Sequence, residues 1–168
     1  MKKDGNGDME IKGFTLIEMM ITMTISAILL AIAVPSYQSI TTNMRMSNEI
    51  NALSSDLNFA RSEAVKRGLN IDVCPPLNGV CNTGPNLNWA AGWMVFDAAA
   101  AKQLRVSSGI TQGDTFNGGA TPITFTPAGY TQFASTITLH NKNDDVNQRR
   151  CLVFATGSWT IQNGANCP

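Results

Sequence analysis

Charge is scarce in this sequence. Aspartate, glutamate, lysine and arginine make up 14% of the 168 residues, and twelve acidic side chains balance twelve basic ones. A chain without net charge exerts no bulk electrostatic pull on nucleic acid. Removing residues 1–13 takes away Lys2, Lys3 and Lys12 together with Asp4, Asp8 and Glu10, so the remainder is neutral as well. Histidine occurs once, as His140, and none of the four cysteines sits in a Cys-x-x-Cys pair, so a zinc site is poorly supported. His140 has no serine or cysteine nucleophile around it, and no catalytic constellation is present. Neither an enzyme activity nor a cofactor is expected.

What the chain does have is one long apolar run. Residues 14–34 carry a single charge, Glu18, close to their start. As a helix they would extend roughly 30 Å, enough to cross the hydrocarbon core of a bilayer. A carboxylate inside such a segment is costly and by default marks function. Lys2, Lys3 and Lys12 precede the run, and no charge follows it until Arg45. Basic residues ahead of the segment place the N-terminus in the cytoplasm. A secretory signal cut after Ala31-Ile32-Ala33 would need a shorter core and no Glu18. A plain anchor explains the length but gives Glu18 no purpose.

A third reading accounts for Gly13, Phe14, Glu18 and the length of the apolar run together. The stretch Gly13-Phe14-Thr15-Leu16-Ile17-Glu18 resembles the N-terminal signature of type IV pilin-like proteins. The resemblance implies that residues 1–13 are a leader removed by a prepilin peptidase at the cytoplasmic face of the inner membrane. Gly13 would be the residue before the cut, and Phe14 the new, N-methylated N-terminus. Glu18 in a low-dielectric surround needs a cation, which the Phe14 amine of a neighbouring subunit would supply. Such pairing would set axial register as a subunit leaves the lipid for a filament.

Pro35 ends the apolar run, and proline kinks or locally melts a helix. The helical period nevertheless continues. Met46, Ile50, Leu53, Leu57, Ala60 and Ala64 recur at helical spacing and make one stripe, with Asn48, Glu49, Asn51, Ser55, Asp56, Ser62 and Glu63 largely off it. Gly68 is a natural stop, with Lys66 and Arg67 in the last turn. Residues 14–68 are therefore expected as one kinked helix, spanning the membrane over 14–34 and amphipathic over 35–68.

From residue 69 to 168 glycine, asparagine, serine and threonine dominate, and short strand-like runs replace the helical period. Strands are expected at 70–74, 92–96, 103–106, 123–126, 136–140, 151–155 and 158–161. Residues 107–121, with Gly109, Gly113, Gly118 and Gly119, read as a loop. The fold class is α+β: a long helix packed on an antiparallel sheet domain. Cys74, Cys81, Cys151 and Cys167 all follow the membrane segment, which suggests disulfides in an oxidising compartment. Of three possible pairings, proximity in sequence favours Cys74–Cys81 and Cys151–Cys167. Trp89 and Trp93 are expected to pack the loop that the first pair closes.

This half narrows the resemblance. The stretches Ala60-Arg61-Ser62-Glu63-Ala64-Val65-Lys66-Arg67-Gly68, Asp72-Val73-Cys74-Pro75, Trp89-x-x-Gly-Trp93, Phe125-Thr-Pro-x-Gly129 and Cys151-Leu-Val-Phe-Ala-Thr-Gly157 resemble the GspH/FimT group of minor pilins and pseudopilins. That group implies a periplasmic β domain, no catalysis, and a structural role in starting or capping a type IV pilus or type II secretion pseudopilus, near its tip. Its partners would be major and minor pilins, the prepilin peptidase, the inner-membrane assembly platform and membrane lipid.

Some pilins of this group bind DNA in natural transformation through a Gly-Arg-x-Arg segment. The matching stretch here is Gly157-Ser158-Trp159-Thr160, without either arginine. Arg149, Arg150 and Trp159 remain as a small basic-aromatic patch suited to single strands. Calcium occurs in some pseudopilins, and residues 141–148 are rich in oxygen atoms. Their spacing is irregular and includes Lys142, so a solvated loop is expected there and no metal.

Overall fold

Between Gly13 and Gly68 the sequence contains no glycine, and the helix α1 (Leu16–Arg67) fills that interval. The structure, a computed structural model, describes residues 13–84, 87–110, 113–131, 133–155 and 157–167. The leader predicted over 1–13 lies outside the described residues except for Gly13. The helix runs through Pro35 without a break. It stops at Gly68, whose φ of 67° is a left-handed cap conformation and whose N–H bonds the Ala64 carbonyl at 3.0 Å.

The chain divides into two compact units, residues 1–40 and 41–168. In the first, every described residue is exposed, including all apolar side chains from Phe14 to Val34. By length and composition this segment is able to cross a membrane. Thr22 and Thr24 turn their hydroxyls back to the carbonyls of Met19 and Ile21 at 2.9 and 2.8 Å. Polar groups satisfied within the helix are compatible with lipid.

The second unit begins well before residue 69, because the C-terminal half of α1 is part of its core. All six stripe residues, Met46, Ile50, Leu53, Leu57, Ala60 and Ala64, are essentially inaccessible to solvent. Burial of each large member stabilises the unit by about 1.5–3 kcal/mol. They pack on two four-stranded antiparallel sheets. The first has the order β5-β4-β1-β7, formed by β1 (Ile71–Cys74), β4 (Gly92–Asp97), β5 (Lys102–Ser108) and β7 (Ile123–Phe125). The second, β10-β9-β8-β6, comprises β6 (Thr115–Asn117), β8 (Thr136–His140), β9 (Arg150–Ala155) and β10 (Ser158–Asn163). A small hairpin of β2 (Pro76–Leu77) and β3 (Val80–Cys81) turns through Asn78 and Gly79, both at positive φ, as a tight hairpin turn requires.

Two expectations are corrected. The loop expected over 107–121 contains β6, which pairs with β8. Phe116 turns into the core there, and the preceding Asp114 is clamped by Arg45 of α1 through bonds of 2.8 and 3.0 Å. Local composition cannot display either partner. The tryptophans also face the other way. Strand β4 is buried along its whole length, and its alternation sends Trp93 and Val95 to the main core. Met94 and Phe96 point to the opposite face and form a second cluster with Cys74 and Cys81. The disulfide loop is thus packed by Met94 and Phe96, not by Trp89 and Trp93. Disulfides join Cys74 to Cys81 and Cys151 to Cys167.

Candidate functional site

The helix start is organised by Thr15. It lies immediately before the first helical residue, and its hydroxyl accepts the Glu18 N–H at 3.2 Å. In return the Glu18 carboxylate receives the Thr15 N–H at 3.5 Å, the long limit for such a bond. Thr15-x-x-Glu18 is a capping box, with the carboxylate favourably placed at the positive end of the helix. The short side of the box holds the helix start, and the long side holds the carboxylate only loosely. Phe14 and Gly13 precede the cap as exposed, non-helical residues. The Thr-x-x-Glu spacing was visible in the sequence as a cap as well as part of a family signature. Pro35 sits inside α1 and can donate no bond to the carbonyl of Ala31 four residues back.

A second constellation lies in the globular unit. Asp56, off the apolar stripe by spacing, is only 5% exposed. Its Oδ2 accepts from Trp93 Nε1 at 2.8 Å and from Ser107 Oγ at 2.5 Å, and its Oδ1 accepts from Arg105 Nη1 at 2.8 Å. The Arg105 guanidinium also stands 4.0 Å above the Phe59 ring, one helical turn further on. Burial alone would raise the Asp56 carboxyl, but hydrogen bonds from Arg105, Ser107 and Trp93, with the Arg105 charge, outweigh it and hold the pKa below its ordinary value. This clasp fastens α1 to β4 and β5. The partners lie 37 to 51 residues away along the chain, so sequence spacing carried no sign of it.

Arg149, Arg150 and Trp159 are not brought together as a patch. Arg149 bonds Asp144 at 3.0 Å, and Arg150 reaches Asn43 at 3.2 Å and the Arg149 carbonyl at 2.9 Å. In the β9–β10 hairpin Trp159 faces Phe154 whereas Arg150 faces Asn163. Four residues of strand separate the two positions, roughly 13 Å. Trp159 packs against Phe125 and donates to Ser54 Oγ of α1 at 3.0 Å.

The oxygen-rich segment 141–148 is occupied with its own structure. Asp144 binds His140 Nδ1 at 2.6 Å as well as Arg149, and the His140 bond leads the effects that lower its pKa. Asn141 Oδ1 and Asp145 Oδ1 accept the N–H groups of Asp145 and Asn147 at 2.8 and 3.0 Å. Among the described residues no group of three histidine, cysteine or acidic side chains is placed to hold a metal.

Comparison with known proteins agrees with this architecture. Residues 49–161 match the family described as type II transport protein GspH, and residues 9–34 match the prokaryotic N-terminal methylation motif. Two fimbrial proteins of Pseudomonas aeruginosa are 42% identical over 60 residues, which is 36% of this chain; the chain spans 38% of the length of these relatives. Crystal structures of the type IV minor pilin FimU of Pseudomonas aeruginosa share the fold. One has a TM-score of 0.59 at 19% identity, over 73% of this chain and 92% of that one. The other has a TM-score of 0.54 at 23% identity, over 73% and 94%. With a methylation motif leading into an apolar helix, and a GspH match over most of the rest, the chain belongs to the GspH/FimT family of minor type IV pilins and pseudopilins.

Proposed function

We infer that the protein is a minor filament subunit that initiates or caps a type IV pilus or type II secretion pseudopilus. Residues 14–34 anchor it in the bacterial inner membrane, with the N-terminus cytoplasmic and residues 69–168 periplasmic. The prepilin peptidase cuts between Gly13 and Phe14, and Phe14 is N-methylated. The assembly platform then moves the subunit from lipid into a filament, where major and minor pilins surround it.

The observation that carries this reading is the loosely held carboxylate at the head of an all-exposed apolar helix. The Glu18 side chain makes one contact at 3.5 Å within the described residues, so a neighbour's Phe14 amine displaces little when it takes that carboxylate as partner. In hydrocarbon an unpaired carboxylate is unfavourable by several kcal/mol, which favours transfer into a filament. Pro35 supplies the point at which the helix adapts to its neighbours. The DNA-uptake alternative loses its main support, because Arg149 and Arg150 are engaged by Asp144 and Asn43, away from Trp159.

The test is recruitment of the full chain in cells that make the filament. Glu18→Ala and Glu18→Leu are expected to be processed at the wild-type rate and to be largely missing from sheared filaments. Wild-type recruitment of either variant contradicts the reading.

A further inference from the structure

We propose that the groove between α1 and β10 is a docking surface for an extended, carboxylate-bearing segment of a neighbouring filament subunit. The proposal rests on the reading of the protein as a filament subunit and adds where, and by what chemistry, its globular unit is gripped.

The groove has two unlike walls. One is the helix, presenting Ser54, Asn58 and Arg61; the other is β10, presenting Ser158, Trp159 and Ile161, and about 340 Å³ of open space lies between them. Strand β10 is the edge of its sheet. Ser158 faces Ala155 across the hairpin turn, so Ser158, Thr160 and Gln162 bond inward to β9. The Gly164 N–H donating to the Arg149 carbonyl at 2.9 Å continues the same alternation. The backbone N–H and C=O groups of Trp159 and Ile161 therefore point away from β9, as a free pairing edge. An unprotected edge of this kind takes another extended strand by main-chain hydrogen bonds.

The side chains define what that strand carries. Among the described residues no carboxylate pairs with the Arg61 guanidinium, which makes it a planar, charged donor left for a partner's aspartate or glutamate. Gly129, at φ 77°, leaves room beside it, since a Cβ built there would lie 3.4 Å from Arg61 Nε and 3.1 Å from Val65 Cγ2. Val65 and Tyr130 stand exposed beside it, 56% and 60% accessible, as an apolar rim. Gly157 in turn leaves room for Tyr130, whose ring would lie 2.7 Å from a Cβ at that position. Two glycines thus shape the surface around one unpaired arginine and one open strand edge. The Trp159 indole N–H donates to Ser54 Oγ at 3.0 Å and so ties the two walls to one another.

The experiment uses the full chain, made in its filament-forming host with a benzoylphenylalanine photocrosslinker at Ile161. The expected result is an adduct with another filament subunit, mapped by mass spectrometry to an extended segment with an aspartate or glutamate within reach of Arg61. Arg61→Glu is expected to lower the adduct yield about tenfold, the change for loss of a charge-assisted hydrogen bond. Arg61→Lys is expected to retain most of it. Non-reducing mobility, which reports the Cys74–Cys81 and Cys151–Cys167 bonds, checks that each variant is folded. The proposal is overturned by a chain that reaches filaments without an adduct, or by an adduct insensitive to Arg61→Glu. An adduct to DNA, lipid or a segment without a carboxylate overturns it as well. If the wild-type chain is missing from filaments altogether, the underlying filament-subunit reading fails first, and the docking proposal with it.

Discussion

Replacing Asp56 with alanine removes one acceptor from three donors at once, and the loss can be assembled from the geometry. Trp93 is 2% exposed, and without Asp56 Oδ2 its indole N–H has no partner, a cost of about 1–3 kcal/mol. Ser107 loses a 2.5 Å bond but can rotate its hydroxyl toward solvent, which adds about 0.5–1 kcal/mol. The Arg105 side chain is 43% exposed and keeps its place over Phe59, so its share is below about 1 kcal/mol. The total is about 1.5–5 kcal/mol. Urea unfolding of the detergent-solubilised full chain, followed by the fluorescence of Trp89 and Trp159, measures it as a midpoint shift of about 1–2 M. Trp93→Phe removes the costliest donor, so the double variant is expected to lose about 1–2 kcal/mol less than the two single losses combined. A loss under about 0.5 kcal/mol for Asp56→Ala, within the range of an ordinary surface change, would refute the idea that this carboxylate fastens α1 to the sheet.

Stability is also expected to fall in acid. Glu63 accepts from Arg67 Nε at 2.6 Å, and that bond holds it, like Asp56 and Asp144, below its ordinary value. The contributions of Asp56, Glu63 and Asp144 are complete above 3.8, 4.5 and 3.8 and are lost as pH falls through the lower folded values. Urea midpoints should be flat from about pH 7 to 5.5 and drop below about pH 4.5; a midpoint that rises on acidification would show the sign to be wrong. Arg45→Ala leaves the fully buried Asp114 carboxylate without its cation and with only the Lys142 N–H at 3.1 Å, while Arg45 itself is 22% exposed. A loss of about 2–3 kcal/mol follows, below the range for a pair hidden on both sides, with hydrogen exchange accelerated first around Thr115–Asn117. Uniform acceleration across the unit would place the effect elsewhere. Cys151→Ser with Cys167→Ser opens a 16-residue separation and should cost about 3 kcal/mol in thermal or urea unfolding, slightly more than the pair that closes seven residues.

The helix and the strand pattern were legible because each has a local period. The Met46-to-Ala64 stripe repeats at helical spacing, and the 136–140 strand coincides with Thr136–His140. Asp56 and Asp114 were not legible: each is polar by composition and buried by partners far along the chain. Strand β6 was hidden for the same reason, since glycines dominate its surroundings and Phe116 alone marks the core-facing position. Trp89 and Trp93 were assigned to the nearest disulfide, whereas alternation along β4 sends the inward face to the helix and the outward face to Cys74 and Cys81. Arg149, Arg150 and Trp159 are near in sequence, but hairpin pairing carries them apart. At the N-terminus the capping box was present in the letters, and the looseness of its carboxylate emerged only from the distances.

The central claim is that this chain leaves the membrane as a processed filament subunit, and intact-mass and N-terminal peptide mass spectrometry of the chain recovered from sheared filaments tests it most directly. The account predicts a mature chain that starts at Phe14, carries one methyl group on its amine and retains residues 14–34. A chain cut after Ala33, or an uncut chain confined to the membrane fraction, would contradict it.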